Sequence, residues 1–110
     1  METTTSRGAA TPGGSLLDYA LAALRARSEE LQARGFVHVA VFGSVARRED
    51  GPDSDLDLVV EVGPEVGTLD VMVIEELLAE ELGREVQIIT RSGLDKLRHA
   101  EILRDMTPAF

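Results

Sequence analysis

Gly43, Ser44 and Arg47, with Asp55 and Asp57 a short loop later, are the residues whose types and spacing could do chemistry in this chain. A glycine directly after an apolar run lets the backbone approach a ligand closely. A helix beginning at Ser44 would aim free N–H groups outward, which suits an anion such as phosphate. The Ser44 hydroxyl adds one hydrogen bond to a phosphate oxygen, and Arg47, on the next turn, supplies a fixed positive charge. Asp55 and Asp57 alternate with Leu56 and Leu58, so in a strand the two carboxylates share one face and the leucines share the other. Adjacent carboxylates repel each other unless a cation lies between them or water solvates them well. Mg²⁺ takes one or two carboxylates together with substrate phosphates and water. A phosphate-holding turn joined to a pair of metal-binding carboxylates is a constellation for nucleotidyl transfer. Each half alone has a plainer explanation: a turn with Ser44 as a helix N-cap, and a solvated acidic loop. Both together, in this order and between two apolar strands, are far more specific.

These side chains need strands to hold them. Apolar runs predict three core strands near Val37–Phe42, Asp55–Val62 and Glu85–Thr90. Leu17, Leu21, Leu24 and Leu31 recur at helical spacing and predict one amphipathic helix from Ser15 to Arg34, ended by Gly35. Thr68 is the expected cap of a helix running to Leu82, with Gly83 as its stop. Leu69, Met72, Val73 and Leu77 would cover a sheet face, leaving Glu75, Glu76, Glu80 and Glu81 as a solvated band. Arg91-Ser92-Gly93 reads as a turn, and Leu94 to Met106 as a last helix with an imperfect stripe at Leu97, Ile102, Leu103 and Met106. The sum is an α/β fold: a small mixed sheet with helices mainly on one face. The site lies where the first strand turns into its helix, beside the start of the second strand.

Composition bounds the rest. A chain of 110 residues with 44% hydrophobic content builds one core, so residues 15–110 are expected to form a single domain. Residues 1–14, with Thr, Ser, Gly and Pro but no apolar run, are expected to be a disordered lead. With no cysteine, disulfides and thiolate metal sites are excluded. No run is long enough for a membrane span, and a cytoplasmic location is the expectation. A formal charge of −9 argues against direct nucleic-acid binding, which depends on neutralising phosphates. It suits either a basic protein partner or plain solubility. Glu49, Asp50, Asp53, Asp55 and Asp57 concentrate part of that charge near the site. His38 in the first strand and His99 in the last helix have no ligand pattern around them. Tyr19, Phe36, Phe42 and Phe110 are too scattered for a base-stacking platform.

Gly43-Ser44, ten intervening residues and then Asp55-Leu56-Asp57 resemble the signature of the polymerase β nucleotidyltransferase superfamily. The fuller strings Gly43-Ser44-Val45-Ala46-Arg47 and Ser54-Asp55-Leu56-Asp57-Leu58 are similar to the minimal nucleotidyltransferases (MNT proteins) of prokaryotes. The resemblance covers roughly Leu16 to Met106 and includes Leu82-Gly83-Arg84-Glu85-Val86. It implies a palm-like nucleotidyltransferase fold. By position, it implies that Gly43, Ser44 and Arg47 bind nucleotide phosphate and that Asp55 and Asp57 hold Mg²⁺ and act in catalysis. The implied reaction moves a nucleoside monophosphate from a nucleoside triphosphate such as ATP to a hydroxyl, releasing pyrophosphate, with paired metals at the attacking and leaving oxygens. Small MNT proteins are often paired with a helical HEPN ribonuclease toxin. They act as antitoxins by adding adenylate to it, on a tyrosine hydroxyl. Homodimerisation is left open.

One position departs from the family. Its third core strand commonly reads Val-Asp-Leu-Val, and here it reads Val86-Gln87-Ile88-Ile89. An amide carries no negative charge and is no base near neutral pH. Gln87 is therefore a degenerate third-carboxylate position, whose loss should weaken catalysis more than nucleotide binding. Glu85, two residues earlier and on the same strand face, would be displaced by about 6–7 Å. Glu61 is a poorer replacement. Two functions follow: an adenylyltransferase that modifies a HEPN-type partner, and a degenerate domain that neutralises that partner by binding alone.

Overall fold

The structure, a computed structural model, describes residues 15–51, 54–93 and 96–110, with the backbone alone within 96–99. The expected N-terminal lead, Asp53, Leu94 and the side chains of Leu97 and His99 lie outside the described residues. In chain order the elements are α1 (Leu16–Ala26), α2 (Ser28–Ala33), β1 (Phe36–Phe42), α3 (Gly43–Ala46), β2 (Leu56–Val62), α4 (Thr68–Leu82), β3 (Val86–Thr90), α5 (Lys96–Asp105) and β4 (Thr107–Pro108). The sheet has four strands in the order β3-β2-β1-β4. β1 runs antiparallel to β2 and β4, whereas β2 and β3 are parallel. That parallel pair needs a crossover, and α4 provides it.

Strand alternation divides the sheet into two faces. On one, Val39, Val41, Leu56, Leu58 and Val60 join the larger core with Leu24, Leu31 and Leu78 from the helices. On the other, Ala40, Phe42 and Val59 meet Ile102 of α5. Helices therefore cover mainly one face, and α5 covers part of the second. Asp57 and Gln87 belong to the second face, because they alternate with the buried Leu56, Leu58 and Val86 of the first.

Several elements differ from the sequence reading. The single helix expected over Ser15–Arg34 is two, broken at Arg27. There the Arg27 N–H turns to the Leu24 carbonyl, 3.1 Å away, in a tightened turn. No proline or glycine marks the break; Arg27 is held by ion pairs to Glu30 and to Glu81 of α4. Ser15 caps α1, with the Asp18 N–H donating to its Oγ at 3.1 Å. The cap of α4 is Gly67 rather than Thr68, and Asp70 accepts from the Gly67 N–H at 2.8 Å. α4 is also rotated from expectation. Ile74, Leu78 and Leu82 are its buried stripe, while Leu69, Met72 and Val73 are exposed. Apolar residues occur on nearly every side of this helix, so periodicity admits both stripes. Its rotation is tied by tertiary bonds: Glu75 accepts from the Ile88 N–H at 2.9 Å, and Glu81 pairs with Arg27. Glu75 and Glu81 are thus not part of a purely solvated band. In the last helix Ile102 is buried and Leu103 is exposed. The short strand β4 was not expected; it pairs with Ala40 and Val41.

Candidate active site

β1 ends at Phe42, and the chain turns sharply at Gly43, whose φ of +77° lies in the left-handed region. Only glycine adopts that region without steric cost. A second constraint acts on the same atom: a Cβ at Gly43 would come within 2.8 Å of the Asp57 Oδ2. The turn therefore brings the backbone against the carboxylate of the neighbouring strand. α3 is one turn long, closed by the Arg47 N–H on the Gly43 carbonyl at 3.1 Å. Its start is Gly43 rather than the expected Ser44. Buried Val45 anchors it to the core, and Arg48, at φ +60°, terminates it. The Ser44 carbonyl accepts from the Glu49 N–H at 2.8 Å, which folds the following loop back over the turn.

Asp57 occupies the first turn of the sheet's second face. Its register partners are Phe42 on β1 and Gln87 on β3. Residues in register on adjacent strands lie side by side, about 5 Å apart. Gln87 is therefore the immediate neighbour of Asp57, with no ionisable group at that place on β3. Asp55 stands two residues before Asp57 and shares its face by alternation; both are half-buried. Glu85 precedes β3 and is exposed, its carbonyl accepting from the Leu56 N–H at 2.9 Å. Glu61 faces His38 across the β1–β2 pair, about 13 Å along the strand from Asp57. Neither glutamate takes the place that Gln87 fills. His38 is exposed.

The loop before Asp55 is built by polar contacts. The Gly51 N–H donates to Ser54 Oγ at 2.8 Å, and Arg84 donates from Nη1 to the Ser54 carbonyl at 2.7 Å. Arg84 thus reaches from the turn before β3 to the backbone beside Asp55. Gly83, at φ +70°, makes that turn. Arg48 performs a comparable task on the other side. It donates to Ser15 Oγ at 2.7 Å and to Asp18 Oδ1 at 3.2 Å, tying α3 to the start of α1. Sequence reasoning gave neither arginine a role. The only signal for Arg84 was its place after a helix-ending glycine and before a strand.

Arg47 makes two ion pairs across the turn. Its guanidinium pairs with Glu49 at 3.0 Å and with Asp105 of α5 at 3.0 Å. The Glu49 hydrogen bond first, then Asp105, raises its pKa above the ordinary value. The charge is fixed, as expected, and is directed at two carboxylates. Among the described residues no group of three His, Cys, Asp or Glu side chains is poised to hold a metal ion. A cation between Asp55 and Asp57 would draw its other ligands from phosphate oxygens and water. No helix among the described residues is long and apolar enough to cross a membrane.

The chain is similar to known proteins in sequence and in fold. The sequence pattern of the nucleotidyltransferase domain family matches residues 24–109. A relative from Methanocaldococcus jannaschii described as a protein adenylyltransferase is 35% identical over 75 residues, 68% of this chain and 81% of the relative. The protein adenylyltransferase MntA of Thermococcus cleftensis is 33% identical over 84 residues, 76% of this chain and 85% of the relative. Among solved structures, a minimal nucleotidyltransferase superposes with a TM-score of 0.67 at 39% identity, covering 80% of this chain and 94% of that one. A tri-AMPylated HEPN toxin in complex with MNT antitoxin, from Shewanella oneidensis, matches at TM-score 0.60 and 12% identity, over 82% of this chain and 71% of that one, and shares the fold. A motif, a strand register and a chain-long match thus agree, and the chain belongs to the nucleotidyltransferase domain family, in its minimal, MntA-like branch.

Proposed function

We propose that this protein transfers AMP from ATP to a hydroxyl of a partner protein, and that the partner is a HEPN-type toxin which the modification silences. The observation that carries this reading is the close approach of Gly43 to Asp57, where a Cβ would lie 2.8 Å from the carboxylate oxygen. A glycine in the left-handed region, with no room for a Cβ beside a half-buried carboxylate, lets the backbone approach a ligand closely, as a nucleotide cradle requires. Gly43 and Ser44 hold phosphate oxygens through backbone N–H and hydroxyl groups, and Arg47 adds charge once it leaves Glu49 or Asp105. Asp55 and Asp57 fit Mg²⁺, since two carboxylates on one face leave the other positions to phosphate and water. When bound, the metal would polarise the α-phosphate and neutralise charge on the leaving pyrophosphate. The acceptor hydroxyl gives its proton to water, and its oxygen bonds to the α-phosphorus as the bond to pyrophosphate breaks. The MntA relatives, described as protein adenylyltransferases, and the AMPylated HEPN toxin of the structural neighbour support the nucleotide and the acceptor class.

Gln87 favours a second reading. Beside Asp57 it supplies no charge for a metal and accepts no proton from an acceptor. A domain with that lesion would bind nucleotide and partner without modifying the partner. One assay separates the readings: transfer of labelled AMP from Mg-ATP to the protein encoded next to this one, with the Asp55→Asn/Asp57→Asn variant as control. Label that requires both aspartates establishes the enzyme. A tight, silencing complex without label, unchanged in the double variant, establishes the binding protein.

A further inference from the structure

The exposed side of α4 carries a pattern that neither the core nor the candidate site uses. Leu69, Met72, Val73, Glu76 and Glu80 recur at intervals of three and four residues and form one stripe. Its first half is apolar and open to solvent: Leu69 is 75% exposed, Met72 51% and Val73 52%. Single exposed apolar residues are ordinary, whereas a contiguous set marks a contact surface. Its second half is acidic. Val73, Leu77, Ala79, Glu76, Glu80 and Glu85 line an open surface depression of about 850 Å³. Among the described residues that line it, Arg84 is the one cation, and its Nη1 donates to the Ser54 carbonyl. The depression therefore combines negative charge with apolar side chains.

The C-terminal end of this surface adjoins the backbone at the start of β2, on the side of the sheet opposite the face that carries Asp57. The Glu85 carbonyl accepts from the Leu56 N–H, and Arg84 holds the carbonyl of Ser54. Those contacts flank Asp55 on both sides. A segment lying along α4 would end next to the backbone that presents that carboxylate.

We propose that this stripe and depression are the docking surface for the acceptor protein, and that they take a helix with apolar side chains at one end of its contact face and Lys or Arg at the other. The identification rests on the transferase reading for the word acceptor; the binding itself does not. Charge complementarity selects this occupant. A second copy of this chain would set Glu76, Glu80 and Glu85 against an equally acidic surface, and like charges at close range disfavour that pairing. From Leu69 to Glu80 the stripe spans roughly 16 Å, about three helical turns, which is the reach of a short amphipathic helix.

The test uses two synthetic helical peptides of equal length, one whose contact face carries leucines at one end and lysines at the other (Leu/Lys), and one with glutamates in place of those lysines (Leu/Glu). Binding to the whole chain is followed by backbone NMR shifts and by fluorescence anisotropy. The Leu/Lys peptide should shift resonances of Leu69, Val73, Glu80 and Glu85. Its affinity should fall at least tenfold in Leu69→Ser/Val73→Ser and in Glu76→Gln/Glu80→Gln, while the Leu/Glu peptide does not bind. All four positions project from the helix surface, and unchanged melting of the variants checks that the fold is intact. Shifts scattered over other acidic surfaces, equal affinity in both variants, or a sedimenting dimer that these substitutions disperse would each overturn the proposal. Docking on α4 without any AMP transfer to the adjacent-gene protein would retain this surface and remove only the transferase reading.

Discussion

Gln87 is where the chemistry of this protein turns. It sits in register beside Asp57 on the candidate-site face, so an aspartate there would adjoin Asp57 without any backbone change. On the transferase reading, Gln87→Asp is expected to raise the rate of AMP transfer at least tenfold, about 1.4 kcal/mol of barrier. An unchanged rate in single-turnover assays, with the fold intact, would mean that the amide does not limit the reaction. Gly43 is the second decisive residue. Gly43→Ala meets both a left-handed φ of +77° and a Cβ contact of 2.8 Å with Asp57. The strain alone costs about 1–2 kcal/mol, and the carboxylate must shift as well. We expect a lower melting temperature together with loss of nucleotide binding in calorimetry. A variant that binds Mg-ATP as the wild type does would remove Gly43 from the site.

At the scale of elements, the one-turn α3 is too short to be stable alone and is held by its neighbours. Val45 fixes it to the core, and Arg48 fixes it to α1 through Ser15 and Asp18. The Arg48 hydrogen bond is the largest influence on Asp18, and it holds that carboxyl below its ordinary value of 3.8. A depressed folded pKa gives stability that is fully present above the ordinary value and is lost as pH falls through the folded one. Wild type should therefore melt above Asp18→Asn at neutral pH, and the difference should vanish on acidification below that ordinary value. Parallel melting curves of the two proteins across the whole pH range would show that the tie between α1 and α3 contributes nothing. The pair is exposed, so the effect is small and should shrink with salt.

Taken as a whole molecule, the protein carries a formal charge of −9, part of it around the candidate site. On the transferase reading, binding of Mg-ATP there would be linked to folding. At a concentration one hundred times its Kd, a ligand that binds only the folded state stabilises it by about 2.7 kcal/mol. Thermal unfolding should shift upward by several degrees with Mg-ATP, less with ATP alone, and not at all in Asp55→Asn/Asp57→Asn. A shift of equal size in the double variant would place the nucleotide elsewhere.

The sequence by itself determined the site's parts and their order. Gly43-Ser44 and Asp55-x-Asp57 are local signals, because a turn needs a particular residue at a particular φ and alternation along a strand is a property of adjacent residues. The three longer strands were legible within a residue at each end for the same reason, as was the mixed sheet with helices mainly on one face. Only the tertiary structure decided the rest. The rotation of α4 depends on Glu75 meeting β3 and Glu81 meeting Arg27, partners distant in the chain. The break at Arg27, the direction of Arg47 toward Asp105, and the roles of Arg48 and Arg84 depend on the same kind of contact. Long charged side chains choose partners across space, and no periodicity records that choice. So too with Gln87: the sequence showed an amide where the family has a carboxylate, and the strand register put it next to Asp57.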